Sequence, residues 1–161
     1  NFPNVMAAFA IGRHFEIPVD TIRKAIEEYT PSNSRSQLIK EGSTSVILDA
    51  YNANPSSMKA AIQNFEAADY PNKVIMLGAM KELGNESQQE HQALITLLEQ
   101  SNWNYVVLVG TEFKNVQHSY LQFDQVDEAR HWYHELAKEN TAFLIKGSRA
   151  YTMEKIIQSN H

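Results

Sequence analysis

DAYNANPSSM, running from Asp49 to Met58, is the stretch whose reading decides the fold. It joins an apolar run to an amphipathic one and crowds its polar and turn-forming residues into the junction. Before it, Val46, Ile47 and Leu48 read as a strand buried on both faces, because no polar residue interrupts the run. After it, Asn54 can cap a helix whose first turn holds Pro55, where the missing N–H costs nothing. Met58, Ala61, Ile62 and Phe65 follow at helical spacing and supply the face that packs on a sheet. Asp49, Tyr51, Asn52 and Asn54 are therefore expected at the carboxyl end of a strand, where open α/β sheets place their ligands.

Downstream, the alternation continues. Lys73 to Leu77 reads as a second apolar strand, followed by a loop from Gly78 to Glu86. Ser87 with Glu90 has the spacing of a capping box, ahead of a helix striped by His91, Leu94, Ile95 and Leu98. Tyr105 to Val109 is a third buried strand and Tyr120 to Phe123 a short fourth. Asp124 can cap a helix carrying Val126, Ala129, Tyr133 and Leu136. Ala142 to Ile145 is the last strand, and Ser148 can cap a final helix with Ala150, Met153 and Ile157.

Upstream, Gln37 to Lys40 and Thr44 to Leu48 flank Glu41-Gly42-Ser43 as a short hairpin. Further back, Val5, Ala8, Phe9 and Gly12, then Val19, Ile22, Ala25, Ile26 and Tyr29, recur at helical spacing. They predict a helical hairpin broken near Glu16 to Pro18. Thr30 to Ser36, TPSNSRS, has almost nothing to bury and reads as a linker and hinge. Strands alternating with helices of this length imply an α/β fold: a mostly parallel sheet with helices on both faces, preceded by a helical hairpin.

Composition narrows the function classes. A chain of 161 residues with 43% hydrophobic and 20% charged residues can bury one ordinary core. Its apolar runs fall well short of the roughly 20 residues that span a bilayer. A net charge of −5 without a basic run gives a nucleic acid no footprint. The absence of cysteine removes thiolate and disulfide chemistry. The opening residues lack an initiator Met, so the chain is expected to belong to something longer.

Several residues have both a chemical and a structural reading. A carboxylate at Asp49 can accept from a ribose hydroxyl or an adenine amine, or merely pin the following turn. Tyr51 can stack on a base or cover the edge of the core, whereas Asn54 before a proline is explained by capping alone. Arg35 is a solvated linker residue or a guanidinium for phosphate or adenine. In Lys146-Gly147-Ser148-Arg149, a strand-to-helix turn explains Gly and Ser but not both charges, which suit a carboxylate or phosphate. GAMKELG, from Gly78 to Gly84, is too poor in glycine for a dinucleotide fingerprint, and Lys81 and Glu82 read as solvated charges. No GxxxxGK[ST] occurs, the six His lack metal spacing, and no nucleophile–base arrangement can be argued.

Four segments in order resemble the Mur ligase family: NFPNVMAAFAIG at Asn1 to Gly12, DAYNANPSSMKAAI at Asp49 to Ile62, LGAMKELG at Leu77 to Gly84 and KGSRAYTMEKI at Lys146 to Ile156. The resemblance implies a Rossmann-like C-terminal ligase domain over residues 31–161, with residues 1–30 as the last helices of a central ATPase domain. It implies a monomeric, cytoplasmic bacterial enzyme using ATP and Mg²⁺, both bound mainly by the upstream domain. NANP and KGSR resemble the members that join D-alanyl-D-alanine to UDP-N-acetylmuramoyl-tripeptide in peptidoglycan synthesis, and imply no nucleic-acid or membrane partner. By the same resemblance Asn1, Asn4, Arg35, Asp49, Tyr51 and Asn52 face the nucleotide. Lys146, Ser148 and Arg149 hold the dipeptide carboxylate or the acyl-phosphate. No catalytic residue and no metal ligand is assigned within the chain, which alone is expected to be inactive. Ala79 stands where the family commonly has Asp, so that carboxylate's role does not carry over. Two other readings stay open: another ligase of the superfamily, including the folylpolyglutamate type, and a non-catalytic Rossmann-like nucleotide-binding module.

Overall fold

A computed structural model of the chain describes residues 2–29 and 35–158. It divides into two compact units, Asn1–Pro31 and Ser32–His161. Asn1 and positions 30–34 of the expected hinge lie outside the described residues.

The first unit is the helical hairpin, α1 (Phe2–His14) and α2 (Val19–Glu27). The helices part at Glu16, whose φ of 59° cannot continue a helix, and Ile17 N–H returns to the carbonyl of Gly12 at 3.0 Å. Gly12 permits their contact, since a Cβ there would lie 2.8 Å from Cδ1 of Ile22. Gly12 and Ile22 are the buried residues among those described in this unit. Phe2, Met6, Ile11, Phe15 and Tyr29 are exposed, so two short helices cover only part of the apolar pattern they carry.

The second unit is built on a six-stranded sheet. In chain order it runs β1 (Gln37–Glu41), β2 (Thr44–Asp49), α3 (Pro55–Ala67), β3 (Asn72–Gly78), α4 (Ser87–Leu98), β4 (Tyr105–Val109), β5 (Leu121–Phe123), α5 (Val126–Glu135) and β6 (Thr141–Lys146). The spatial order is β1-β2-β6-β3-β4-β5, with β1 antiparallel to β2 and every other pair parallel. The α/β architecture expected from the sequence is therefore present, mostly parallel and covered on both faces.

Alternation along the strands divides the core in two. Met58, Ile62 and Phe65 of α3 and Leu94, Ile95 and Leu98 of α4 pack on Ile75, Leu77, Leu108 and Leu144. Val126, Ala129 and Tyr133 of α5 pack on Val46, Leu48, Met76, Val107 and Phe143 from the other side. Each large apolar side chain so buried contributes about 1.5–3 kcal/mol. β2 departs from the fully buried strand expected of it. Val46 and Leu48 are buried but Ile47 only partly, because α3 lies over β6 rather than β2.

Three expected helix ends differ. No capping box forms at Ser87: a 3-10 turn, Gly84–Glu86, leads into α4 and makes Ser87 its first helical residue. Asp124 does not cap α5 but pairs with Lys114, and the N–H of Gln125 donates to Glu128 Oε2 at 3.1 Å instead. After β6 the described residues form no α-helix but two 3-10 turns, Arg149–Tyr151 and Met153–Ile157. They are separated by Thr152 in the left-handed region, at φ 46° and ψ 46°. Ser148 makes no capping bond.

Candidate functional site

Sheet order decides where a crevice opens. The chain leaving β2 turns to the face of α3, and the chain leaving β3 carries Ala79 and Met80 into that same core. The chain leaving β6, which lies between them, turns to the opposite face, where Met153 and Ile156 are buried. The carboxyl end of β6 is thus flanked by diverging connections, the place where open α/β sheets bind ligands. Gly78 and Gly147 meet there: a Cβ on Gly147 would lie 2.9 Å from Cα of Gly78 and 2.7 Å from Cγ of Met153.

On the β2 side, Asp49 and Lys146 are register partners across the parallel pair. Lys146 Nζ donates to Asp49 Oδ2 at 2.6 Å and to the carbonyl of Asn52 at 3.1 Å. The lysine is only 2% exposed. Asp49 Oδ1 accepts the N–H of Ser36 at 3.2 Å, so this carboxylate also anchors the entry to β1. The Arg35 guanidinium lies over the Tyr51 ring, 3.7 Å from its centroid, in a cation–π stack. Asn52 Oδ1 accepts from Ala53 N–H at 2.9 Å. Asn54 caps α3 as expected: its Oδ1 accepts Ser57 N–H at 2.8 Å, and its own N–H donates to Ser57 Oγ at 3.1 Å.

Beyond β6, Ser148 is buried and its Oγ has no hydrogen-bond partner among the described residues. Arg149 is exposed, and one arm donates to Glu154 Oε1 at 2.9 Å, leaving the rest of its guanidinium facing outward. The crevice therefore brings Arg35, Asp49, Tyr51, Asn52 and Lys146 together around one strand pair, with Ser148 and Arg149 on the turn that follows. Asn4 is exposed on α1, in the other unit.

On the β3 side the structure reveals a cluster that the sequence did not. Glu112, two residues past the Gly110 that ends β4, bonds Lys81 through one carboxylate oxygen and the Tyr151 hydroxyl through the other. Burial raises the Glu112 carboxyl, but hydrogen bonds from Lys81 and Tyr151 outweigh it and hold the group below its ordinary range. Lys81 is raised, chiefly by its hydrogen bond to Glu112. Burial, and then the Glu112 carboxylate, push the Tyr151 phenol up. Lys81 is thus no free solvated charge. The one available signal was positional: Glu112 follows a strand end just as Asp49 does. His91, which the helical stripe placed in the core, accepts Met80 N–H at Nε2, 3.1 Å away, while Nδ1 lies 2.7 Å from the Ser87 carbonyl. The ring thus carries its proton on Nδ1 and fixes the loop after β3.

The family model described as "Mur ligase, glutamate ligase domain" matches residues 34–149. This chain belongs to the Mur ligase family. Among individual proteins it is similar to the UDP-N-acetylmuramoyl-tripeptide–D-alanyl-D-alanine ligase of Bacillus subtilis, with 32% identity over 98% of this chain and 37% of that protein. The enzyme of the same name from Rickettsia prowazekii is 30% identical over 98% of this chain and 36% of its own length. A crystal structure of MurF from Acinetobacter baumannii superposes with a TM-score of 0.79 at 28% identity, covering 96% of this chain and 36% of that one. The chain thus spans little more than a third of each of these three proteins. Among the described residues no helix is long and apolar enough to cross a membrane, and no three His, Cys, Asp or Glu side chains are grouped to hold a metal ion.

Proposed function

We propose that this chain is the closing part of an ATP-dependent ligase that joins D-alanyl-D-alanine to UDP-N-acetylmuramoyl-tripeptide. The observation that carries the reading is that two relatives named for this reaction each match 98% of the chain. In this reading residues 1–30 are the last helices of the ATPase domain and residues 31–161 the C-terminal domain. ATP phosphorylates the tripeptide carboxylate, releasing ADP. The dipeptide amine attacks the resulting acyl-phosphate, expels phosphate and loses a proton, leaving a new peptide bond.

The chain's own share is to hold and orient. Arg35 on Tyr51 offers the nucleotide a flat cationic face, and Asp49 and Asn52 offer acceptors beside it. By the family resemblance Asn1 and Asn4 are assigned to the nucleotide as well. The outward arm of Arg149 and the unpartnered hydroxyl of Ser148 suit the dipeptide carboxylate. The residues described do not fit a Mg²⁺ site, so the metal is assigned to the rest of the enzyme and no step here runs through it. The enzyme acts as a cytoplasmic bacterial monomer, without a nucleic-acid or membrane partner.

The test is an acceptor panel on the full-length protein, with ATP and the tripeptide held saturating. ADP and pentapeptide should form together with D-alanyl-D-alanine and not with single amino acids or folates. Turnover with a single amino acid alone would assign it to another ligase of the superfamily. Nucleotide binding without ADP release from any acceptor would make it a non-catalytic module.

A further inference from the structure

Lys146 sits where a substrate-binding cation is expected, yet it is built as an internal one. A cation that receives an incoming carboxylate needs its charge uncompensated, and this one is 2% exposed and already paired with a carboxylate inside the fold. Two of its three N–H groups are engaged, at 2.6 Å by Asp49 Oδ2 and at 3.1 Å by the Asn52 carbonyl. Asp49 ends β2, and Asn52 lies in the connection from β2 to α3. Tyr51 lies between them and carries the Arg35 stack, while the other Asp49 oxygen receives the N–H of Ser36, the residue after Arg35.

We infer that Lys146 is a positioning residue: it fixes the Arg35–Tyr51 face through Asp49 and Asn52, and does not contact the dipeptide. The inference rests on the ligase reading above for the identity of what that face meets. A cation is required because Asp49 is largely withdrawn from water, where an unpaired carboxylate is costly. A compact ammonium reaches a side-chain oxygen and a backbone carbonyl at once, which a planar guanidinium beside Gly147 does less well.

Two measurements on Lys146→Met test this. In the full-length ligase, KM for ATP should rise roughly tenfold, the size of one lost charge-assisted contact, with KM for D-alanyl-D-alanine unchanged. A rise in KM for the dipeptide with ATP unaffected would overturn the assignment. If the single variant fails to fold, Lys146→Met with Asp49→Asn removes both charges. The double variant should then show the ATP defect of Asp49→Asn alone, whereas a larger, additive defect would overturn it. In the 161-residue chain itself, NMR should show the Arg35 Nε–H resonance losing the ring-current shift imposed by Tyr51. An unchanged resonance would overturn the inference. This second readout needs no catalysis, so it distinguishes failure of the positioning role from failure of the ligase reading.

Discussion

Tyr151 delivers its hydroxyl to Glu112 across the backbone of Gly110, where φ is +128° and a Cβ would lie 2.6 Å from that same hydroxyl. The missing side chain lets the ring settle against the end of β4. Three connections, those after β3, β4 and β6, are thereby tied through one carboxylate.

The tie has a defined pH dependence. Glu112 is held below its ordinary value of 4.5, so its contribution is full above that value and is lost as the pH falls through the depressed one. Lys81 is raised above 10.5, so its contribution is full below 10.5 and is lost as the pH rises through the raised value. The difference in Tm between wild type and Glu112→Gln should be constant from about pH 6 to 9 and should shrink in acid. Melting curves across that range check it. A difference that grows in acid would contradict it.

Backbone and hydroxyl can be separated. Gly110→Ala should destabilise the fold by more than about 1 kcal/mol, since it adds both φ strain and a clash. Tyr151→Phe, which removes only a hydrogen bond to a charged group, should cost about 1.5–3 kcal/mol. Urea titrations of both variants provide the comparison.

Asn54→Ala should lower stability by about 1 kcal/mol, because it strips the cap from α3. Ser57→Ala removes the reciprocal bond, so the two losses should be less than additive in a double-mutant cycle read from denaturant midpoints.

In the full-length enzyme, Arg35→Ala should weaken apparent ATP affinity by roughly 1.5–3 kcal/mol with little change in Tm, since Arg35 is exposed. Asp49→Asn should weaken ATP use as well, but it also strips the counter-charge from buried Lys146. Its stability loss should reach up to about 3 kcal/mol. Steady-state kinetics with ATP varied, beside melting curves, separates the two.

The isolated chain should not hydrolyse ATP, because it has no GxxxxGK[ST] phosphate loop to stabilise the transferring phosphoryl group. ADP release above a protein-free blank would refute this.

Local chemistry was readable and pairing at a distance was not. Asn54 was legible because its cap closes within three residues, and Asp49 because the switch from apolar run to helical stripe marks a strand end. Lys146 could be placed at a strand end too, but its partner lies 97 residues away. That contact exists only because β6 inserts beside β2, an order no periodicity encodes. Glu112 went unnoticed for the same reason: its partners Lys81 and Tyr151 come from other connections. Ser148 misled because cap chemistry presumes a helix, and left-handed Thr152 breaks the one expected there.

β6, the last strand among the described residues, occupies the middle of the sheet, between β2 and β3. During synthesis the hairpin β1–β2 and the group β3–β4–β5 emerge first, and neither can pair with the other until β6 arrives. Sheet closure is thereby deferred until β6 has been made, and the early halves must wait with open edges. A nascent chain halted before Thr141 holds two half-sheets and neither side of the crevice complete.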